Sequence, residues 1–174
     1  MTAPIRWPAE AVWEAVAPLL PGFTVEVLPS IDSTNTELMR RARAGQTEPT
    51  LLVAEQQTAG RGRLGRVWQS DVGASLMLSL GLPMAPRDWS GLSLAVGVSV
   101  AESLQPTLPP LEPGQPPRIG LKWPNDLWLS GDRKLGGILV ETASFVAPQA
   151  AHPTTAQGTA ARYVVVGIGI NVLP

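Results

Sequence analysis

Apolar positions along the chain follow two periods. Between residues 9 and 20, Val12, Trp13, Val16, Leu19 and Leu20 recur at helical spacing, and Pro21-Gly22 then stops the run. Residues 24–28 read as a short strand. Thr34 with Glu37 three residues on is an N-cap signal for a second helix, closed by the basic turn Arg40, Arg41, Arg43 and by Gly45. Residues 50–57 predict a strand that becomes polar at its end, and 75–82 alternate as a half-buried strand. Residues 89–104, rich in small side chains, predict a helix suited to close packing on a sheet. Residues 119–123 and 127–129 predict two strands joined at Pro124-Asn125-Asp126. A third is expected over 135–142 after the turn Ser130-Gly131-Asp132, and a buried strand over 163–170. Those strands predict a sheet meander.

Two stretches break the pattern. Residues 105–118 carry six prolines and 145–161 are of low complexity, so both are expected to be mobile surface excursions. With 174 residues and 44% hydrophobic content the chain suffices for one core, and residues 1–174 are expected to form a single domain in which 1–23 are an N-terminal helix and lead-in.

Charge and composition exclude several classes. A formal net charge of -1 gives no global field toward nucleic acid or an anionic membrane, so any anion site has to be local. The absence of cysteine removes disulfides, thiolate nucleophiles and Cys-based metal sites, and fits a reducing compartment. The one histidine, His152, lies in a Pro/Ala/Thr tract and reads as a solvated loop residue, which argues against a Ser-His-Asp triad. Arg6, Glu10 and Glu14 interrupt the apolar N-terminus, and no window approaches the ~20 apolar residues that span a bilayer. A cytoplasmic protein is expected.

Three constellations carry candidate chemistry. The run Gly60-Arg61-Gly62-Arg63-Leu64-Gly65-Arg66 lets a backbone approach a ligand closely, and its guanidiniums repel one another unless an anion sits between them. Read alone it is either an oligo-anion site or a solvated Gly/Arg loop of the kind that binds nucleic acid. It is not a Walker A loop, because no Gly-Lys-Ser/Thr follows. Lys122-Trp123-Pro124-Asn125-Asp126 and Lys134-Leu135-Gly136-Gly137 bring two lysines, a carboxylate and an amide to the ends of adjacent strands, where they form either a pocket mouth or a plain surface hairpin. Gly167-Ile168-Gly169-Ile170-Asn171 lacks the third glycine of a dinucleotide fingerprint and is better read as glycines where a ligand meets the sheet.

Taken in order, Asp32-Ser33-Thr34-Asn35, the stretch from Ala54 through Gln57 and the glycine loop to Trp68, Lys122 to Asp126, Lys134 to Glu141 and Gly167 to Asn171 resemble the motif set of biotin protein ligases. Five ordered motifs are far more specific than any one of them. The resemblance implies an α/β (α+β) fold with a mixed, mostly antiparallel central sheet, helices packed on it, and the class II synthetase-like architecture shared with lipoate ligases. It implies ATP-dependent activation of biotin to biotinyl-5′-AMP and transfer to a lysine of a biotin carboxyl carrier protein, with biotin, ATP and Mg²⁺ as the small molecules.

The resemblance also assigns residues. Ser33, Thr34 and Gln57 are expected at biotin's ureido ring with Asn35 adjacent. Gly60, Arg61, Gly62 and Arg63 are expected in the phosphate loop, with Trp68 packed beside it. Lys134, Arg63 and Asp126 are the expected catalytic groups, Asp126 orienting Lys134 or the metal, while the Mg²⁺ itself travels with ATP. Asn125 and Asn171 are the expected adenylate contacts, and Lys122, Gly137, Gly167 and Gly169 complete the expected ligand-binding residues. The family's N-terminal DNA-binding domain and small C-terminal domain have no counterpart in these 174 residues, so a monofunctional enzyme without a repressor role, a monomer or weak homodimer, is expected. The competing readings are a lipoate or octanoate ligase, a biotin-binding module without full turnover, and a Gly/Arg nucleic-acid binder.

Overall fold

The computed structural model describes residues 6–69, 71–107, 117–130, 132–144 and 161–172. The expected mobile tracts fall largely outside them, at 108–116 and 145–160. Helix α1 (Ala9–Val16) leads into β1 (Thr24–Leu28), α2 (Thr34–Arg43) and β2 (Thr50–Ala54). A single 3₁₀ turn (Arg63–Gly65) precedes β3 (Ser75–Met84) and α3 (Leu92–Leu104), which runs on into a second such turn (Gln105–Thr107). Strands β4 (Ile119–Lys122), β5 (Asp126–Leu129), β6 (Arg133–Ser144) and β7 (Arg162–Asn171) follow.

The seven strands form one sheet in the order β1-β2-β3-β7-β6-β5-β4. Only β1 and β2 run parallel; every other pairing is antiparallel. The expected meander is present as β4 to β7, and the sheet is mixed and mostly antiparallel as the resemblance implied.

Alternation along β7 divides the core between two faces. Tyr163 and Val165 pack with Leu38, Met39 and Ala42 of α2 and Leu52 of β2. Val164 and Val166 join Ile138 on the opposite face, beneath Trp89, which precedes α3, and Leu92 and Val96 at the start of that helix. Further along α3, Ala101 meets Ile119 and Leu127. The sheet is therefore a middle layer with α2 on one side and α3 on the other.

Several boundaries differ from expectation for local reasons. The first helix ends at Val16 because Pro18 has no N–H to continue the ladder, although Ala17 before it keeps helical dihedrals, φ -55° and ψ -36°, and still donates to the Trp13 carbonyl at 2.8 Å. Ser33, not Thr34, is the N-cap of α2: its backbone is extended, and its side chain accepts from the Thr36 N–H at 3.4 Å. Glu37, expected in a capping box, instead pairs with Arg40 and Arg41. Gly45 does close the helix in the left-handed region, at φ +87°. Strand β2 stops at Ala54, with Gln57 rejoining the sheet as an isolated bridge to Ile31, and α3 starts at Leu92 rather than at 89.

Candidate functional site

On the α2 side of the sheet a cavity of about 500 Å³ lies beneath the glycine loop, beside the N-terminus of α2. Ser33, Thr34, Asn35 and Gln57 line it, as do Arg61, Gly62, Arg63 and Trp68 of the loop, Lys122, Asn125, Asp126 and Lys134 of the hairpins, and Gly137, Gly167 and Gly169 of β6 and β7. The three constellations noted in the sequence thus meet in one place.

Two expected residues do not line the cavity. Gly60 closes the glycine loop instead: its carbonyl accepts from Trp68 N at 2.9 Å, and a side chain there would run into the Trp68 backbone. Asn171, at the end of β7, accepts from Ser75 Oγ at 3.2 Å and donates to the Lys134 carbonyl at 3.3 Å. It supports the backbone that carries Lys134.

The polar end of the cavity is a connected network. Thr34 N–H donates to Gln57 Oε1 at 2.8 Å, fixing that carbonyl and leaving the amide nitrogen as the donor of the pair. Ser79 of β3, fully buried, lies 2.7 Å from Thr34 Oγ1 and 2.6 Å from Asn35 Oδ1. Asn35 Nδ2 donates to the Leu139 carbonyl at 3.2 Å and to Glu141 Oε2 at 3.0 Å. Asn35 thus bonds through both ends of its amide inside the protein and holds α2 to β6 while lining the cavity. Nothing in the sequence marked Ser79, because a serine in an alternating strand reads as solvent-facing.

Two strand glycines also take on a different meaning. A side chain at Gly167 would overlap the Asn35 amide, and a Cβ at Gly169 would come within 2.6 Å of the Trp68 ring. These glycines admit the protein's own side chains against the sheet, and through them shape the cavity floor. Gly137 is roomier: a Cβ there would lie 3.5 Å from Trp68, and 3.6 Å from both Asp126 Oδ1 and Lys134 Nζ.

Lys134 reaches the cavity because β6 is irregular. Residues 134 and 137 are three apart, which in a regular strand would put them on opposite faces. The register shifts between Leu127 and Trp128, so that Trp128 pairs with Lys134 while Asp126 pairs with Gly137. This bulge turns Lys134 to the cavity side, where its ammonium sits 2.8 Å from Asp126 Oδ1. Leu135, beside it, faces the α3 core.

Charge in the cavity is one-sided. Among the described residues Arg61, Arg63, Arg66, Lys122 and Lys134 line it against a single carboxylate, Asp126. Arg63 Nη1 is 3.4 Å from Asn125 Oδ1, and Asn125 is itself fixed through Nδ2 to the Ile138 carbonyl at 2.8 Å. Lys122 lies 3.8 Å above the Trp128 ring. Arg61 pairs with Glu141. A cluster of this composition suits an anion with several charges. Among the described residues no group of three or more His, Cys, Asp or Glu side chains could hold a metal ion, and no helix is long and apolar enough to cross a membrane.

Residues 27–171 match the model of the biotin/lipoate A/B protein ligase family. Over 154 residues the chain is 38% identical to the biotin--[acetyl-CoA-carboxylase] ligase of Mycobacterium tuberculosis, covering 85% of this chain and 49% of the relative. It is 42% identical over 155 residues to the bifunctional ligase/repressor BirA of Escherichia coli, covering 88% and 42%. The structure of biotin acetyl coenzyme A carboxylase synthetase from Helicobacter pylori with bound biotinylated ATP superposes with a TM-score of 0.61 at 30% identity, covering 86% of this chain and 61% of that one. The chain spans about half the length or less of the two curated relatives. A family match over most of the chain, a mixed sheet of the same architecture, and a cationic cavity assembled from the five motifs lead to one conclusion: the chain belongs to the biotin/lipoate A/B protein ligase family.

Proposed function

We propose that this chain activates biotin with ATP to biotinyl-5′-AMP and passes the biotinyl group to a lysine of a biotin carboxyl carrier protein. The observation that carries the reading is the convergence of Arg61, Arg63 and Lys134 with Ser33, Thr34 and Gln57 in one cavity. Short neutral donors and acceptors suit a ureido ring, while the cations suit a carboxylate meeting a triphosphate. The continuous sheet between α2 and α3 supports reading the described residues as one catalytic domain.

In the first step biotin's carboxylate attacks the α-phosphorus of ATP, and the bond to pyrophosphate breaks. Both reactants are anionic, so the barrier falls only where positive charge is already in place. Lys134, aimed by the β6 bulge and steadied by Asp126, supplies one such charge beside Gly137, and Arg63, braced on Asn125, supplies another from the loop. Mg²⁺ carried by ATP would offset part of the phosphate charge. Among the described residues Asp126 is the one lining carboxylate that would be available to such an ion, and its Oδ1 is engaged by Lys134.

In the second step the acceptor lysine, as a neutral amine, attacks the acyl carbon and AMP leaves. The glycine loop stands over the cavity, its ends joined by the Arg61–Val67 bridge and its Gly62 N–H bonded to the Arg66 carbonyl at 2.7 Å. In this position it keeps water from the mixed anhydride until the amine arrives. A chain without cysteine is compatible with the reducing cytoplasm, where ATP and carrier proteins meet.

Biotin-dependent exchange of labelled pyrophosphate into ATP tests the first step. Exchange stimulated by biotin and not by lipoate is the expected result, and stimulation by lipoate alone would overturn the substrate. Biotin binding with no pyrophosphate release would leave a binding module.

A further inference from the structure

Glu141 was part of a motif in the sequence but had no role assigned to it. It lies on the cavity side of β6, opposite Val165 in the register, and its two carboxylate oxygens serve different elements. Oε2 accepts from Asn35 Nδ2 at 3.0 Å, and Asn35 is 4% exposed, so the carboxylate is anchored to a buried, fully bonded group. Oε1 pairs with the Arg61 guanidinium on the glycine loop. A second cavity, between the loop and β6, is lined by Arg61, Arg63 and Glu141, so the Arg61–Glu141 contact bridges an otherwise open gap.

We propose that Glu141 is a positioning residue for the anion site: it holds Arg61 by a counter-ion contact that the incoming anion has to displace. Identifying that anion as ATP rests on the ligation reading; the contact itself does not. Without a ligand, Arg61, Arg63 and Arg66 lie within six residues of one another, and Glu141 offsets part of their mutual repulsion. The pair is half-exposed, with side-chain exposures of 45% for Arg61 and 25% for Glu141, and such pairs are weak enough to exchange. A polyphosphate offers Arg61 several charge-assisted acceptors in place of one, so the exchange runs toward the ligand. Glu141 thus keeps Arg61 near the cavity while tempering the site's affinity for anions.

Glu141→Gln separates this role from a scaffolding one, because its amide oxygen can still accept from Asn35 while its charge is gone. Trypsin must extract the Arg61 side chain to cut the Arg61–Gly62 bond. In the ligand-free variant that bond is expected to be cut about two- to five-fold faster than in the parent chain, normalised to cleavage at Arg133. ATP binding by titration calorimetry is expected to tighten by a similar factor, and the gain should vanish in an Arg61→Ala background. Should the variant fold poorly, the unsubstituted chain in rising sodium chloride supplies the same test, since screening weakens the half-exposed Arg61–Glu141 pair and cleavage at Arg133 corrects for the effect of salt on the protease. Unchanged cleavage at Arg61 in both arms, or an ATP affinity that rises equally without Arg61, overturns the proposal. Normal latch behaviour in a chain without biotin-dependent exchange would instead overturn the ligation reading and leave this one standing.

Discussion

Lys134 and Asp126 illustrate how much one side chain's direction matters. The ammonium sits 2.8 Å from the carboxylate and 6.0 Å from the centre of the Trp68 ring. On the proposed adenylation, removing it withdraws charge mainly from the transition state, so Lys134→Ala is expected to slow that step by about 100-fold while changing biotin affinity by less than about threefold. Pyrophosphate exchange measured beside biotin titration checks this, and equal losses in both would refute it. Tyr163 permits a cleaner test of burial, being the chain's one tyrosine. Burial pushes its hydroxyl up to about 12, with the charge of Arg41 opposing the shift. Because the folded value lies above the usual value near 10, this contribution to stability is complete below about pH 10 and is lost as pH rises toward 12. Tyrosinate absorbance should show titration near 12 in the native chain and near 10 in denaturant.

At the scale of elements, α2 is what brings Ser33 and Thr34 to the cavity, and its direction is fixed by more than its apolar face. Arg41 donates to both oxygens of Glu26 on β1, at 2.7 and 2.9 Å, and to Glu37 at 2.9 Å. The Glu26 hydrogen bonds raise the already high Arg41 pKa, so the guanidinium remains charged throughout the working range. Arg41→Ala is expected to cost about 1 kcal/mol in urea unfolding, with most of that shared with Glu26→Ala in a double-mutant cycle. Additive losses would mean the pair contributes little. The helix was legible from its periodicity and its basic last turn, whereas its cap was misplaced by one residue. Ser33 and Thr34 are both favourable N-caps by chemistry, with serine somewhat the better, and the extended backbone at Ser33 decides between them. The end of α1 was legible too, had Pro18 been weighed against the apolar spacing.

For the molecule as a whole, a formal charge of -1 coexists with five cations and one carboxylate around a single cavity. The field is local, so ATP affinity is expected to fall several-fold as salt rises from low to physiological ionic strength, while biotin affinity barely moves. Calorimetry at several salt concentrations would show it, and matched slopes for the two ligands would contradict it. By itself the sequence determined the strands, the two principal helices and the motifs that gather the chemistry, because hydrophobic period, turn residues and motif order are local properties. Tertiary structure alone decided three things. The bulge that turns Lys134 inward depends on pairing with β5. The roles of Gly167 and Gly169 depend on which side chains, Asn35 and Trp68, cross above them. The contact between Glu141 and Arg61 joins residues 80 positions apart, and no local pattern of hydrophobic and polar residues encodes a meeting at that separation.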